Sequence, residues 1–232
     1  VNTSALDVSS DPRTGSMSGL CIAGLYAVTA DLVDTRSMGV LVEAAIAGGA
    51  RAVQYRNKIA GPALRIEQAS MLARLCASRD VPLIVNDHVD LALAIPDAGL
   101  HVGIDDCDGP SALRALRSRL GQRRILGVSC YRSIDRAREA VAAGADYVAF
   151  GSVFASTTKP HAAAASLDLF EQARNLGVAI VGIGGITRDN IATLIAAGAD
   201  AAAVIGELFG SGDPAVVAQR ASAMARAFDR SH

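Results

Sequence analysis

Eight short runs of β-branched and aliphatic residues, at 25–29, 52–55, 83–86, 99–102, 125–129, 147–150, 179–182 and 202–205, alternate along this chain with Ala-, Leu- and Arg-rich stretches. Runs of four or five such residues suit buried strands, and the stretches between them carry helical spacing. Within 62–78, Leu64, Met71, Leu72 and Leu75 fall on one side of a helix; within 111–120, Leu113, Leu116 and Leu120 do the same. Pro62 suits a first helical turn, and Thr187 suits the N-cap of a helix over 190–197. Three helix ends repeat one phrase: Ala47-Gly48-Gly49-Ala50, Ala142-Ala143-Gly144-Ala145-Asp146 and Ala196-Ala197-Gly198-Ala199-Asp200. A glycine at each end can take the left-handed conformation that stops a helix and turns the chain into the next strand. Parallel strands joined by helices cross over with one hand, and eight such units close on themselves. The chain is therefore predicted to be α/β, a single (β/α)8 TIM barrel. An open doubly wound sheet is the alternative, but the first strand-to-helix turn lacks a G-x-G-x-x-G fingerprint, and the glycine-rich turns follow the seventh and eighth runs instead.

Hydrophobic residues make up 51% of the 232, yet aromatics only 4%, with no Trp. The core is thus expected to be built from Ala, Val, Ile and Leu, as in a buried parallel sheet covered by helices. With 22 basic against 23 acidic residues, global charge does not draw in nucleic acid or other polyanions, so any anion affinity must be local. Cys21, Cys76, Cys107 and Cys130 have no C-x-x-C spacing and sit in or beside apolar segments, which reads as reduced thiols. Glycines and charges interrupt every apolar run well short of a membrane span. Residues 1–19, rich in Ser, Thr, Gly and Asp, read as a disordered leader before one catalytic domain over 20–232. The expected location is cytoplasmic.

In a parallel barrel the carboxyl ends of all strands face one rim, and the polar tips of these runs converge there. Gly182-Ile183-Gly184-Gly185-Ile186-Thr187 and Val204-Ile205-Gly206-Glu207 end the seventh and eighth runs. Bare backbone N–H groups at a helix start can approach a phosphate; the plainer reading is that the glycines serve tight turns. Asn86-Asp87 and Asp105-Asp106 end neighbouring runs three and four. Hard oxygen donors from adjacent strand ends, with room left for water and phosphate oxygens, suit Mg²⁺, although an Asp after a strand is often only a helix cap. In Gln54-Tyr55-Arg56-Asn57-Lys58, alternation lets Gln54, Arg56 and Lys58 point one way, two cations that suit a diphosphate. Ser129 ends the fifth run, and Ser156-Thr157-Thr158-Lys159 offers hydroxyls and an ammonium after the sixth, where a merely solvated loop is the rival reading. His101 reads as a packed or hydrogen-bonding residue rather than a base. Neither a G-x-S-x-G elbow nor an H-E-x-x-H motif is present. A metal, three cations and a separate phosphate cradle on one rim suggest chemistry on two phosphorylated compounds, or on one carrying phosphate at both ends, with a diphosphate expelled.

At these residues the chain resembles the thiamine phosphate synthase family. The resemblance rests on Leu25-Tyr26-Ala27-Val28-Thr29, Gln54-x-Arg56-x-Lys58, Val85-Asn86-Asp87-His88-Val89-Asp90, Gly99-Leu100-His101-Val102-Gly103-x-Asp105-Asp106, Leu126-Gly127-Val128-Ser129, Ala145-Asp146-Tyr147-Val148, Thr158-Lys159 and Val181-Gly182-Ile183-Gly184-Gly185-Ile186. It implies a barrel enzyme that joins 4-amino-2-methyl-5-(diphosphooxymethyl)pyrimidine to a thiazole phosphate through a carbocation, releasing diphosphate. By position it implies that Gln54, Arg56, Lys58, Asn86, Ser129 and Lys159 hold the pyrimidine diphosphate, with Tyr55 and Asn57 between them also among the substrate-binding residues. Arg56, Lys58, Ser129 and Lys159 would be the catalytic members. Ser156, Thr157, Thr158, Gly185, Ile205 and Gly206 would serve the thiazole phosphate, and Asp87 with Asp106 would hold Mg²⁺. The expected partners are these two small molecules, with neither nucleic acid nor membrane; a homo-oligomer is left open. Three positions depart from the family's pattern: Asn57 stands where an acid is common, Ile104 where Gln is common and Gly206 where Ser is common. A thiazole tautomerase of the same fold is the nearest rival, but its relatives tend to lose the two acidic pairs and the loop lysine that this chain keeps. A non-catalytic phosphate-binding regulator is more distant.

Overall fold

The computed structural model describes residues 22–103, 107, 109–155 and 165–229. Each expected run is a strand: β1 (Gly24–Val28), β2 (Ala50–Tyr55), β3 (Leu83–Asn86), β4 (Gly99–Gly103), β5 (Leu126–Tyr131), β6 (Tyr147–Gly151), β7 (Ala179–Ile183) and β8 (Ala201–Val204). Between and after them lie α1 (Thr35–Ala47), α2 (Pro62–Ala77), α3 (Val89–Ala94), α4 (Gly109–Leu120), α5 (Ile134–Ala142), α6 (Asp168–Ala173), α7 (Ile191–Ala196), the one-turn α8 (Gly206–Phe209) and α9 (Pro214–Asp229). Every strand pairs in parallel with the next, and β8 pairs with β1, so the sheet closes into the expected eight-stranded barrel. The leader expected at 1–19 lies outside the described residues.

Side chains alternate across each strand and separate into two cores. Outward residues such as Leu25, Ala27, Val53, Val85 and Leu100 pack with Leu72, Leu113, Phe170 and Leu194 of the helices. Each fully buried Leu or Phe there contributes roughly 1.5–3 kcal/mol. Inward residues, among them Tyr26, Val28, Ala52, Ile84, Tyr147, Val181 and Ala203, fill the barrel itself. The expectation of an aliphatic core needs a correction: Tyr26, Tyr55, Tyr147, Phe150 and Phe170 are the bulkiest fully buried side chains. Small neighbours make room for them, as where a Cβ on Gly127 would come within 2.0 Å of the Tyr147 ring.

Two local expectations shift for stated reasons. The buried face of α2 is Gln68, Ala69, Leu72 and Cys76, with Leu64, Met71 and Leu75 only partly covered, because Gln68 is drawn inward by polar partners. Asn190, not Thr187, caps α7; the Asn190 side chain accepts from the Thr187 backbone N–H at 2.8 Å and so holds the turn ahead of the helix.

The amino-terminal base of the barrel explains the repeated Ala-Gly-Ala-Asp phrase. Gly144 and Gly198 have φ of +96° and +106°, a conformation that favours glycine, and each is followed two residues later by an aspartate that reaches sideways. Asp146 accepts from the backbone N–H of Leu126 at 2.7 Å, and Asp200 accepts from that of Ile180 at 2.8 Å. Asp146 is in turn paired with the buried Arg117, which also donates to the carbonyls of Gly144, Gly121 and Arg124 at 2.9, 2.7 and 2.8 Å. These bonds tie neighbouring strands and loops together at the end opposite the polar rim. No helix among the described residues is long and apolar enough to cross a membrane.

Candidate active site

The tip of β2 sorts its residues by alternation. Gln54 is buried inside the barrel and donates Nε2 to the Tyr26 hydroxyl at 3.0 Å. Tyr55 and Asn57 turn the other way: the Tyr55 hydroxyl and Asn57 Nδ2 both donate to Gln68 Oε1 at 2.9 Å, and Asn57 Nδ2 also reaches the Leu32 carbonyl at 2.6 Å. The side chains of these two residues, expected among the substrate-binding positions, tie the loop after β1 to α2. The chain's Asn in place of an acid at 57 belongs to this knot, since both of its bonds to Gln68 and Leu32 need a donor that a carboxylate lacks.

Arg56 and Lys58 remain at the rim, set by the loop after β1. Arg56 and Thr29 exchange two hydrogen bonds at 2.8 and 2.9 Å through the Thr29 hydroxyl. Asp31 then accepts from the Lys58 backbone N–H at 2.8 Å and lies 3.4 Å from the Arg56 guanidinium. The Arg56 and Asp31 side chains are 24% and 35% exposed, so their pairing contributes little and can be exchanged for a stronger anion.

On β3, Asp87 sits just past the last residue with φ +60°, a left-handed conformation that Asp tolerates better than most side chains. Its backbone N–H donates to the His101 carbonyl at 2.8 Å, and Asn86 Nδ2 donates to Asp87 Oδ2 at 2.6 Å. An exposed carboxylate is thereby held at the rim between β3 and β4. It fits a hard divalent cation in charge and donor type. Asp105 and Asp106 lie outside the described residues, as do Ser156, Thr157, Thr158 and Lys159.

Ser129 of β5 is partly exposed at the rim and bonded beneath to His101 Nε2 at 2.9 Å. His101 is buried, with Nδ1 2.8 Å from the Tyr147 hydroxyl and its ring stacked on Tyr147. Burial lowers its pKa to about 4, so it is neutral at physiological pH. Burial likewise pushes the Tyr26 and Tyr147 hydroxyls upward, and both stay protonated. This chain of bonds from Ser129 to Gln54 involves Tyr26 and Tyr147, neither of which stood out as functional in the sequence; a tyrosine inside an apolar run reads as core.

The two glycine turns differ. Gly184 and Gly185 have φ of +99° and +65°, and a Cβ on Gly185 would lie 2.4 Å from the Phe154 carbonyl oxygen and 2.5 Å from that of Ala155. Asn190 Nδ2 donates to the Gly185 carbonyl at 2.9 Å, a further contributor that sequence reasoning missed. Gly206 is exposed at the first position of α8, where a Cβ would meet nothing within 4 Å among the described residues outside its own turn, and Ile205 caps that turn. Arg188 and Glu207, 2.9 Å apart, link the two loops. A groove of about 690 Å³ is lined by Tyr131, Arg132, Arg136, Ser166 and Asp168 among others, and none of the expected site residues among the described ones lines it.

Residues 25–208 match the family model described as thiamine monophosphate synthase. The chain is 50% identical over 192 residues to the thiamine-phosphate synthase of Methylobacillus flagellatus, covering 83% of this chain and 90% of that one. It is 51% identical over 198 residues to the thiamine-phosphate synthase of Chromobacterium violaceum, covering 85% and 94%. Among solved structures it is similar to thiamine phosphate pyrophosphorylase from Pyrococcus furiosus, with a TM-score of 0.76, 28% identity, and coverage of 90% of this chain and 96% of that one.

Proposed function

We propose the chemistry of this site from the premise that the chain belongs to the thiamine monophosphate synthase family. Its function is that of a thiamine-phosphate synthase, a transferase of thiamine biosynthesis. The substrates we assign are 4-amino-2-methyl-5-(diphosphooxymethyl)pyrimidine and a thiazole phosphate. The bond from the pyrimidine's methylene carbon to the diphosphate oxygen breaks, and its electron pair leaves with the diphosphate. The lone pair of the thiazole nitrogen then forms the new carbon–nitrogen bond. No proton moves in either step, so catalysis rests on stabilising charge at the departing group.

In this reading Arg56, Lys58 and Lys159 take the diphosphate, Arg56 releasing Asp31 to do so. Gln54, Asn86 and Ser129 orient the pyrimidine diphosphate. Gly185, Ile205 and Gly206, with Ser156, Thr157 and Thr158, receive the thiazole phosphate at the far side of the rim. Asp87 and Asp106 would hold Mg²⁺, which when bound supplies charge neutralisation to the diphosphate. Asn86 donates to one Asp87 oxygen and helps fix the carboxylate.

The observation that carries this reading is the condition of His101: buried, neutral and hydrogen-bonded at both ring nitrogens. It is poorly suited to shuttle protons, as the thiazole tautomerase alternative would require, and well suited to holding other groups still. The test is to incubate purified protein with both substrates, with Mg²⁺ or with chelator. Thiamine phosphate and diphosphate should appear in equal amounts only with the metal, and Asp87→Asn should remove most of the rate. Product formed in chelator, or undiminished in Asp87→Asn, refutes the assignment of the metal to Asp87.

A further inference from the structure

Five polar side chains from five strands run unbroken through the floor of the rim: Gln54 of β2, Tyr26 of β1, Tyr147 of β6, His101 of β4 and Ser129 of β5. The links are 3.0, 2.9, 2.8 and 2.9 Å. Gly127 leaves room for the Tyr147 ring to cross the barrel, and Tyr26 meets that ring edge-on at 6.0 Å between centroids. The three middle members are buried, so a hydroxyl or ring N–H left without an acceptor would cost about 1–3 kcal/mol.

That penalty restricts the protons to two arrangements. If Gln54 Nε2 donates to Tyr26, then the Tyr26 hydroxyl must donate to Tyr147, and Tyr147 to His101 Nδ1. His101 then carries its proton on Nε2 and donates to Ser129, whose own hydroxyl proton is left for the rim. If the Gln54 amide is reversed, every bond reverses with it: Ser129 donates to His101, His101 Nδ1 to Tyr147, Tyr147 to Tyr26, and Tyr26 to Gln54 Oε1. In the first arrangement Gln54 turns its acceptor away from the chain and Ser129 offers a donor; in the second their roles exchange. Mixed arrangements strand a buried proton or press two donors together.

We propose that this chain couples Gln54 to Ser129, so that the two always present one acceptor and one donor to an aromatic heterocycle whose edge carries the complementary pair, an aminopyrimidine. Tyr26, Tyr147 and His101 are positioning residues that touch no substrate. With the Gln54 amide Nε2 turned toward the Tyr26 hydroxyl, it is the first arrangement that follows, and it puts the His101 proton on Nε2. The inference rests on the assignment of Gln54 and Ser129 to the pyrimidine site.

Two measurements test it separately from that assignment. Nitrogen-15 NMR of histidine-labelled enzyme without substrate should show His101 as the neutral Nε2–H tautomer. An Nδ1–H tautomer or an imidazolium at neutral pH overturns the proposed arrangement whatever the enzyme catalyses. In steady-state kinetics, Gln54→Ala and Ser129→Ala should each raise the KM for the pyrimidine diphosphate. Together they should raise it less than the product of the single effects, by about fivefold or more. In the Tyr147→Phe background, which keeps the ring and removes one hydroxyl, the two effects should multiply to within about twofold. Tyr26→Phe removes a second link, leaving only the direct approach of Gln54 to Tyr147, and should weaken the coupling if Tyr147→Phe does not fold. The KM for the thiazole phosphate should not change in Tyr147→Phe or Tyr26→Phe. Multiplicative effects in the wild-type background, or coupling that survives both cuts, overturn the proposal; absence of thiamine phosphate from wild-type enzyme would instead defeat the functional assignment and leave the tautomer result standing.

Discussion

Gly185 and Gly206 look interchangeable as phosphate-cradling glycines, but their surroundings predict opposite responses to a side chain. In Gly185→Ala the new Cβ would lie 2.4 and 2.5 Å from two backbone carbonyl oxygens, in a residue with φ +65°. The left-handed backbone costs roughly 1–2 kcal/mol for a residue with a Cβ, and forcing the Phe154 to Ala155 segment aside adds roughly 1–3 kcal/mol. For a chain of this size the sum corresponds to a fall in melting temperature of roughly 5–15 °C. The damage therefore reaches the thiazole phosphate indirectly, through a displaced turn, rather than by filling the anion's space. In Gly206→Ser the Cβ meets none of the described residues outside its own turn, at a helical position that any residue can adopt. Its melting temperature should stay within about 2 °C of wild type. Its hydroxyl can donate to the phosphate, so the KM for the thiazole phosphate should fall by about fivefold, the equivalent of roughly 1 kcal/mol for a net hydrogen bond. Differential scanning fluorimetry and initial-rate kinetics on both variants are sufficient. A Gly185→Ala protein that melts like wild type but binds thiazole phosphate poorly would show that the Gly185 Cβ faces the ligand, and the steric reasoning would be wrong.

Lys159→Ala should lower kcat by roughly 10² to 10³, the loss expected for one preorganised donor to a leaving group, with the circular dichroism spectrum unchanged; wild-type turnover would reduce the lysine to a solvated loop charge. Arg117→Ala should lower stability by about 3–5 kcal/mol in urea titration without changing either KM, because it strips the donors from three carbonyls and the cation from Asp146 at the base of the barrel. Cys76 and Cys130 are buried thiols whose pKa burial raises to about 12, so at pH 8 almost none is thiolate. Cys107 is partly exposed, and mass spectrometry after brief iodoacetamide treatment should find it modified before either of them in folded protein, the difference vanishing in denaturant.

The barrel was legible because its strands are short, aliphatic and evenly spaced, and that periodicity survives without knowledge of any contact. The observed ends of β2, β3 and β4 differ from the expected runs by two residues at most. Rim position was legible for the same reason: parallel strands put every carboxyl-terminal tip on one side. Alternation also foretold that Gln54, Arg56 and Lys58 would separate from Tyr55 and Asn57. What could not be read were the long-range polar bonds. Gln68 looks like a solvated helix residue until Tyr55 and Asn57 are seen on either side of it, and Tyr26 and Tyr147 are separated by 121 positions before their hydroxyls meet. The aspartates of the repeated Ala-Gly-Ala-Asp phrase read as turn residues, since nothing local announces that the amides they accept from belong to a neighbouring strand.

Those aspartates give the folding of the second half of the barrel a built-in reporter. Asp146 clasps the first amide of β5 and Asp200 the second amide of β7, closing β5 onto β6 and β7 onto β8 at the base. The Leu126 and Ile180 amides can exchange their hydrogens with solvent only when the corresponding two-strand unit opens. Pulse-labelling of these two amides during refolding would therefore time the assembly of each unit separately, and their order of protection would reveal whether the barrel closes from its carboxyl-terminal quarter or waits for all eight strands.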